Sequence, residues 1–210
     1  MKKGIKLGLI GVGNWGINYV KTIYLMKNVE LVLVTSKKEK LKKYLNSTCK
    51  VEKDWRKLIL SDDLDGVIIS SPPSSHYEII KECLKIKLPI LVEKPFVLNI
   101  RNAKEIVNLA KKNSSLIMVD YIHLYHPAFI KLKENLNDYH DIKNIEIISG
   151  NHGPFRSDVR ALWDWAPHDI ALCLELTEKT PELAKAYFLK RDYRYKIPAE
   201  IVSIELLFPG

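Results

Sequence analysis

The chain has 210 residues, of which 47% are apolar and 28% charged, a composition that excludes disordered, collagenous and disulfide-framework classes and describes a globular protein. At about 150 residues per domain, this length allows one sizeable core and something smaller beside it. The net charge of +8 is uneven: residues 1–60 hold 14 Lys/Arg against 4 Asp/Glu, and the remaining 150 residues sum to −2.

That basic end is dominated by lysine and lacks Arg-rich or aromatic-interleaved runs, so an anionic small ligand or a solvated face explains it better than a nucleic acid does. Cys49, Cys83 and Cys173 are odd in number and form no CxxC, which yields neither a disulfide set nor a zinc site and fits a reducing, cytoplasmic setting with no metal. The lysines and apolar residues of the first 13 positions imitate a signal peptide, but Lys6 and repeated glycine interrupt the run. No apolar stretch reaches the roughly 18 residues of a membrane span. The expectation is a soluble, unprocessed chain with no membrane partner.

In chain order, short apolar runs at 5–10, 31–34, 67–70, 90–93 and 116–119 read as strands. Helix-period stripes lie between them: Ile17, Val20 and Tyr24, then Ile79, Ile80 and Leu84, then Ile106, Val107, Leu109 and Ala110. This alternation predicts an α/β fold, a doubly wound parallel sheet of Rossmann type over residues 1–122. Ser75 and Glu78 have capping-box spacing, Asn99 is placed to cap the next helix, and Pro72 and Pro73 stop the middle strand.

The pattern changes after Tyr121. Residues 123–210 read as an α+β domain with an open sheet, containing helices at 127–136 and 166–176 and strands at 145–149, 184–189 and 201–208. Three strands are few for a free-standing sheet, and Pro209-Gly210 is a turn signal that leads onward, so this second domain is expected to be incomplete.

Gly11, Gly13 and Gly16 form GxGxxG directly after the first strand and open the first helix, with Asn14 and Trp15 inside the motif. There the helix N-terminus offers unpaired N–H groups and the positive end of its dipole to a pyrophosphate. A purely structural glycine turn is the alternative. An NAD site would place an acid about 20 residues further on, where this chain reads Thr35-Ser36-Lys37-Lys38. A hydroxyl beside lysines suits a 2′-phosphate, which favours NADP over NAD, unless the lysines are only a solvated face.

Glu93-Lys94-Pro95 ends the fourth predicted strand, on the carboxyl side where open α/β sheets collect ligands. A lysine there can stabilise charge developing on a substrate oxygen, or simply face solvent. Asp164 and His168 are spaced i, i+4 and share a face if the stretch is one helix, with Pro167 suited to a first turn. Such a pair supports proton exchange near neutral pH or a structural hydrogen bond.

Taken together, GVGNWG, SSPPSSHY, VEKP, HLYHPAF and SDVRALWDWAPHDI resemble the glucose-fructose oxidoreductase and inositol dehydrogenase (Gfo/Idh/MocA) family, and within it the sugar-nucleotide 3-dehydrogenase branch. The resemblance implies an NAD(P)-dependent oxidoreductase moving a hydride between nicotinamide and a hydroxyl or keto carbon of a sugar, polyol or sugar nucleotide. It makes Lys94, Asp164 and His168 the catalytic residues. It places Ser71, Pro72, His76 and Glu93 with Lys94 and the glycine loop around the cofactor, and Tyr125, His126, Arg156 and Arg160 near the substrate. It also implies a cis Lys94–Pro95 bond and a homo-oligomer through the second-domain sheet. The missing acid after the second strand and the short second domain depart from the family. They leave a truncated, non-catalytic dinucleotide-binding protein as the alternative.

Overall fold

The computed structural model describes residues 4–35, 39–136, 142–150, 159–193 and 199–209. The chain divides into two compact units, residues 1–120 and 121–210.

The first unit is a six-stranded parallel sheet built from β1 (Ile5–Ile10), β2 (Val29–Thr35), β3 (Lys50–Val51), β4 (Gly66–Ile69), β5 (Ile90–Val92) and β6 (Ile117–Val119). Their order across the sheet is β3-β2-β1-β4-β5-β6, the doubly wound order that reverses direction beside β1. Helices α1 (Gly16–Tyr24), α2 (Trp55–Ile59), α3 (His76–Lys85) and α4 (Ile100–Asn113) connect the strands. β3 is the strand missed in the sequence, because two residues with both side chains exposed carry no apolar run.

The strand alternation sorts side chains into two buried layers. Leu9 and Ile68 pack with Val20, Ile23 and Leu41 on one face, while Ile10, Val67 and Ile69 pack with Ile79, Ile80, Leu84 and Ile106 on the other. Both faces are covered, which is why these strands read as continuous apolar runs. On α1 the buried stripe is Val20 and Ile23, and Tyr24 lies exposed, one position off the expected pattern. On α4 Ile106 is buried, whereas Val107 is exposed.

Asn99 caps α4 as its position indicates, its side chain accepting from Arg101 N at 2.8 Å and Asn102 N at 3.4 Å. The expected Ser75 capping box does not form. Ser75 instead sits in a 3₁₀ turn at Pro73–Ser75, where its hydroxyl donates to the Pro72 carbonyl at 2.7 Å.

The second unit comprises a 3₁₀ turn at Ile122–Tyr125, helices α5 (Pro127–Leu136), α6 (Ala161–Asp164) and α7 (Ala166–Thr177), and the antiparallel pair β7 (Leu183–Asp192) and β8 (Ala199–Leu207). Residues 145–149 are not a strand: among the described residues only β7 and β8 pair in this unit, and Ile148 is 92% exposed. The segment is tethered by a side chain, Ser149 Oγ donating to Asp169 Oδ2 at 2.5 Å. No helix of the described residues is long and apolar enough to cross a membrane.

Two substitutions separate capping from core packing. Asn99→Ala should cost about 1 kcal/mol in urea unfolding through loss of the cap. Ile80→Ala, at a fully buried position, should cost about 2–5 kcal/mol by opening a cavity.

Candidate functional site

The glycine loop is pinned from both neighbouring strands. Gly11 N–H donates to Thr35 Oγ1 at 2.7 Å from the end of β2, and Ser70 Oγ donates to the Gly11 carbonyl at 2.5 Å from the end of β4. Gly11 has φ +91°, a conformation that disfavours side chains, and a Cβ there would strike the backbone of Ser71. A Cβ on Gly16 would strike the Gly11 carbonyl, so this glycine lets α1 start against the loop.

Gly13 is different, because a Cβ there meets no atom within 4 Å and the residue lies exposed beside Asn14 and Trp15. Its lack of a side chain is not needed by the protein's own packing. An open glycine backbone ahead of a nine-residue helix fits a pyrophosphate group. Ser36 and Lys37 lie outside the described residues.

The carboxyl ends of β4 and β5 form a second held region. His76 is fully buried, with Nδ1 3.1 Å from the Pro95 carbonyl and 3.2 Å from that of Phe96, and Nε2 2.9 Å from the Ser71 carbonyl. Burial holds its pKa below the usual histidine range, against these three backbone contacts. A neutral imidazole has a single N–H, so His76 donates either to the Ser71 carbonyl or to the turn after Lys94 and not to both at once, and its bearing on a ligand runs through that backbone. Ser71 Oγ is 2.7 Å from Ser75 Oγ, Pro72 is exposed, and the Lys94–Pro95 peptide is cis. Lys94 is half-buried and its backbone N–H donates to Glu93 Oε2 at 3.2 Å.

Sequence reasoning missed what holds Glu93. The residue is 8% exposed, and Tyr19 Oη lies 2.9 Å from Oε1 and is also hydrogen-bonded to Asp120 Oδ2. The available signals were Tyr19 three residues into the helix from Gly16, and Asp120 directly after the last strand.

In the second unit, Asp164 and His168 do not share one helix. Asp164 ends α6, Trp165 intervenes, and His168 occupies the first turn of α7 behind Pro167. His168 is 5% exposed and its ring stacks on His123, with centroids 4.3 Å apart and planes at 28°. His123 was not singled out, because nothing in its spacing relates it to residue 168. Tyr125 is 60% exposed, and His126 Nδ1 accepts from Ala128 N at 3.2 Å at the start of α5. Arg160 is exposed at the start of α6, and Arg156 lies outside the described residues. Among the described residues no three His, Cys, Asp or Glu side chains converge as a metal site would need.

A parallel sheet in this order, with a pinned glycine loop at its central strand, defines a dinucleotide-binding protein of Rossmann type. Residues 5–121 match the model of the GFO_IDH_MocA family, described as an oxidoreductase family with an NAD-binding Rossmann fold, and the chain belongs to that family. Myo-inositol 2-dehydrogenase of Thermotoga maritima is 24% identical over 133 residues, 62% of this chain and 40% of that protein. Inositol 2-dehydrogenase of Rubrobacter xylanophilus is 28% identical over 134 residues, 62% of this chain and 39% of that protein. The matched segments thus span about two fifths of these curated relatives. Among solved structures, one designated an oxidoreductase, from Magnetospirillum magnetotacticum MS-1, superposes with a TM-score of 0.87 at 31% identity over 98% of this chain and 67% of that one. GenD2 from gentamicin A biosynthesis, solved in complex with NAD, shares the fold with a TM-score of 0.81 at 18% identity over 99% of this chain and 63% of that one.

The three glycines should separate by urea unfolding. Gly11→Ala and Gly16→Ala should each cost about 1–3 kcal/mol through strain and overpacking. Gly13→Ala should leave the unfolding midpoint nearly unchanged.

Proposed function

We propose that the protein is an NAD(P)-dependent dehydrogenase acting on a hydroxyl-bearing carbon of a sugar, polyol or sugar nucleotide, with NADP preferred. The observation that carries this reading is the glycine loop, whose one unhindered glycine, Gly13, lies just ahead of α1 in a chain of an oxidoreductase family. The backbone of 11–16 would hold the pyrophosphate, and Ser36 with Lys37 would hold the 2′-phosphate. A bound nicotinamide supplies the hydride acceptor for oxidation and the donor for reduction.

The protein's own residues supply the proton chemistry and the charge. Lys94, at the carboxyl end of β5, holds the substrate oxygen and stabilises negative charge developing on it. His168 takes the hydroxyl proton in oxidation and returns it in reduction, and Asp164 orients that histidine. These roles are carried over from the EKP and DxxxH motifs. Tyr125, His126, Arg156 and Arg160 would contact the sugar, the arginines suiting a phosphorylated or carboxylated one.

Titrating the protein with NADPH and NADH while following nicotinamide fluorescence should give saturable binding, tighter for NADPH; binding of neither would sink the reading. Once a substrate screen has identified turnover, Lys94→Ala and His168→Ala should each lower kcat by about 10²–10⁴-fold with dinucleotide Kd within a few-fold of the original. Lost binding would make them structural. Saturable binding without turnover of any polyol, sugar or sugar nucleotide would leave a non-catalytic dinucleotide-binding protein.

A further inference from the structure

Tyr19 on α1, Glu93 after β5 and Asp120 after β6 come together from three separate elements. Tyr19 Oη bonds both carboxyls, yet a phenol carries one hydrogen and can donate to only one of them. If both carboxyls were ionised, the second contact would set an oxygen lone pair against a carboxylate oxygen. The geometry is satisfied only when one carboxyl carries a proton.

Burial indicates which one. Glu93 is 8% exposed and Asp120 is more open, so ionising Glu93 is the costlier choice. The donors then run in one direction: Lys94 N–H to Glu93 Oε2, Glu93 Oε1–H to Tyr19 Oη, and Tyr19 O–H to Asp120 Oδ2. Each donor has an acceptor, and the cluster carries one negative charge instead of two.

We propose that Glu93, Tyr19 and Asp120 share one exchangeable proton in a directed hydrogen-bond chain, and that this chain is the positioning device for Lys94, whose backbone N–H is its first donor. The importance of Lys94 rests on the dehydrogenase reading; the chain itself does not. Burial pushes the Glu93 carboxyl up to about 7, with the Asp120 charge adding to it and Lys94 opposing it. Asp120 is also raised by burial, against donation from Tyr19. Tyr19, Asp120 and Lys94 are the titratable groups acting on Glu93 among the described residues, and on the β4 side the Ile69 carbonyl accepts Glu93 N–H at 2.9 Å.

The test is an NMR titration of the whole chain, ¹³C-labelled at glutamate and ¹⁵N-labelled, from about pH 4 to about pH 9. The Glu93 carboxyl carbon and the Lys94 amide should move together with a midpoint of about 7. Asp120→Asn, which removes a neighbouring negative charge, should lower that midpoint. Tyr19→Phe, which removes the oxygen that accepts the Glu93 proton in this chain, should lower it as well. In Glu93→Gln, whose amide can donate to Tyr19 and whose carbonyl can accept from Lys94, the Lys94 amide should lose this transition. Should Tyr19→Phe fail to fold, the direction of the Asp120→Asn shift decides.

Stability supplies a second readout. A carboxyl raised in the folded state stabilises it fully below its unfolded pKa of about 4.3 and loses that contribution as pH rises through the folded value. Glu93→Gln should therefore gain stability relative to wild type between about pH 5 and about pH 8 in urea unfolding. A Glu93 midpoint near the ordinary 4.3, or a Lys94 amide that does not follow it, overturns the proposal. A chain that binds no dinucleotide but shows the coupled titration refutes the dehydrogenase reading alone; turnover without the coupled titration refutes the proton chain alone.

Discussion

The carbonyl and N–H of Gly11 are each fixed by a side chain from a different strand, Ser70 from β4 and Thr35 from β2. This double hold exists because β1 lies between β2 and β4, where the order of the sheet reverses. The α1 start and the exposed Gly13 backbone both follow from where Gly11 is held. A short hydroxyl at each neighbouring strand end is enough to set that position, since each satisfies a backbone group that would otherwise have no regular partner.

The Lys94 turn is held in an analogous way from two sides. His76 lies against the carbonyls of Pro95 and Phe96 that follow Lys94, and Glu93, the residue before it, is bonded to Tyr19, which also bonds Asp120. Tyr19 belongs to the same helix whose N-terminus faces the glycine loop. The two regions proposed to serve the cofactor and the substrate oxygen are thereby linked inside one unit, through polar contacts made in a partly buried setting where such bonds are strong and unsatisfied groups costly.

In the second unit the proton-carrying candidate is set by packing. His168 is buried in the first turn of α7, behind a proline that suits a helix start, and its ring lies flat against His123. Stacking restricts how that imidazole can turn. The break at Trp165 places Asp164 on a different helix from His168, so sequence spacing alone does not relate the two side chains.

The sequence by itself determined the fold class of the first unit, since strands buried on both faces must be apolar throughout and the crossover helices must carry a stripe. It also placed GxGxxG between β1 and α1 and EKP at the end of β5, because those motifs depend on local chain direction, and Asn99 was legible because a cap acts within three residues. Only the tertiary structure decided the rest. β3 pairs through its backbone with too few side chains to read, residues 145–149 carry strand-like side chains but no ladder, and the Ser75 hydroxyl turned to Pro72 rather than to a helix N–H. The bonds from Thr35 and Ser70 to Gly11, the Tyr19–Glu93–Asp120 cluster and the His123–His168 stack join residues 24 to 101 positions apart. No local spacing encodes such contacts, because they arise only when separate strands and helices bring their ends together.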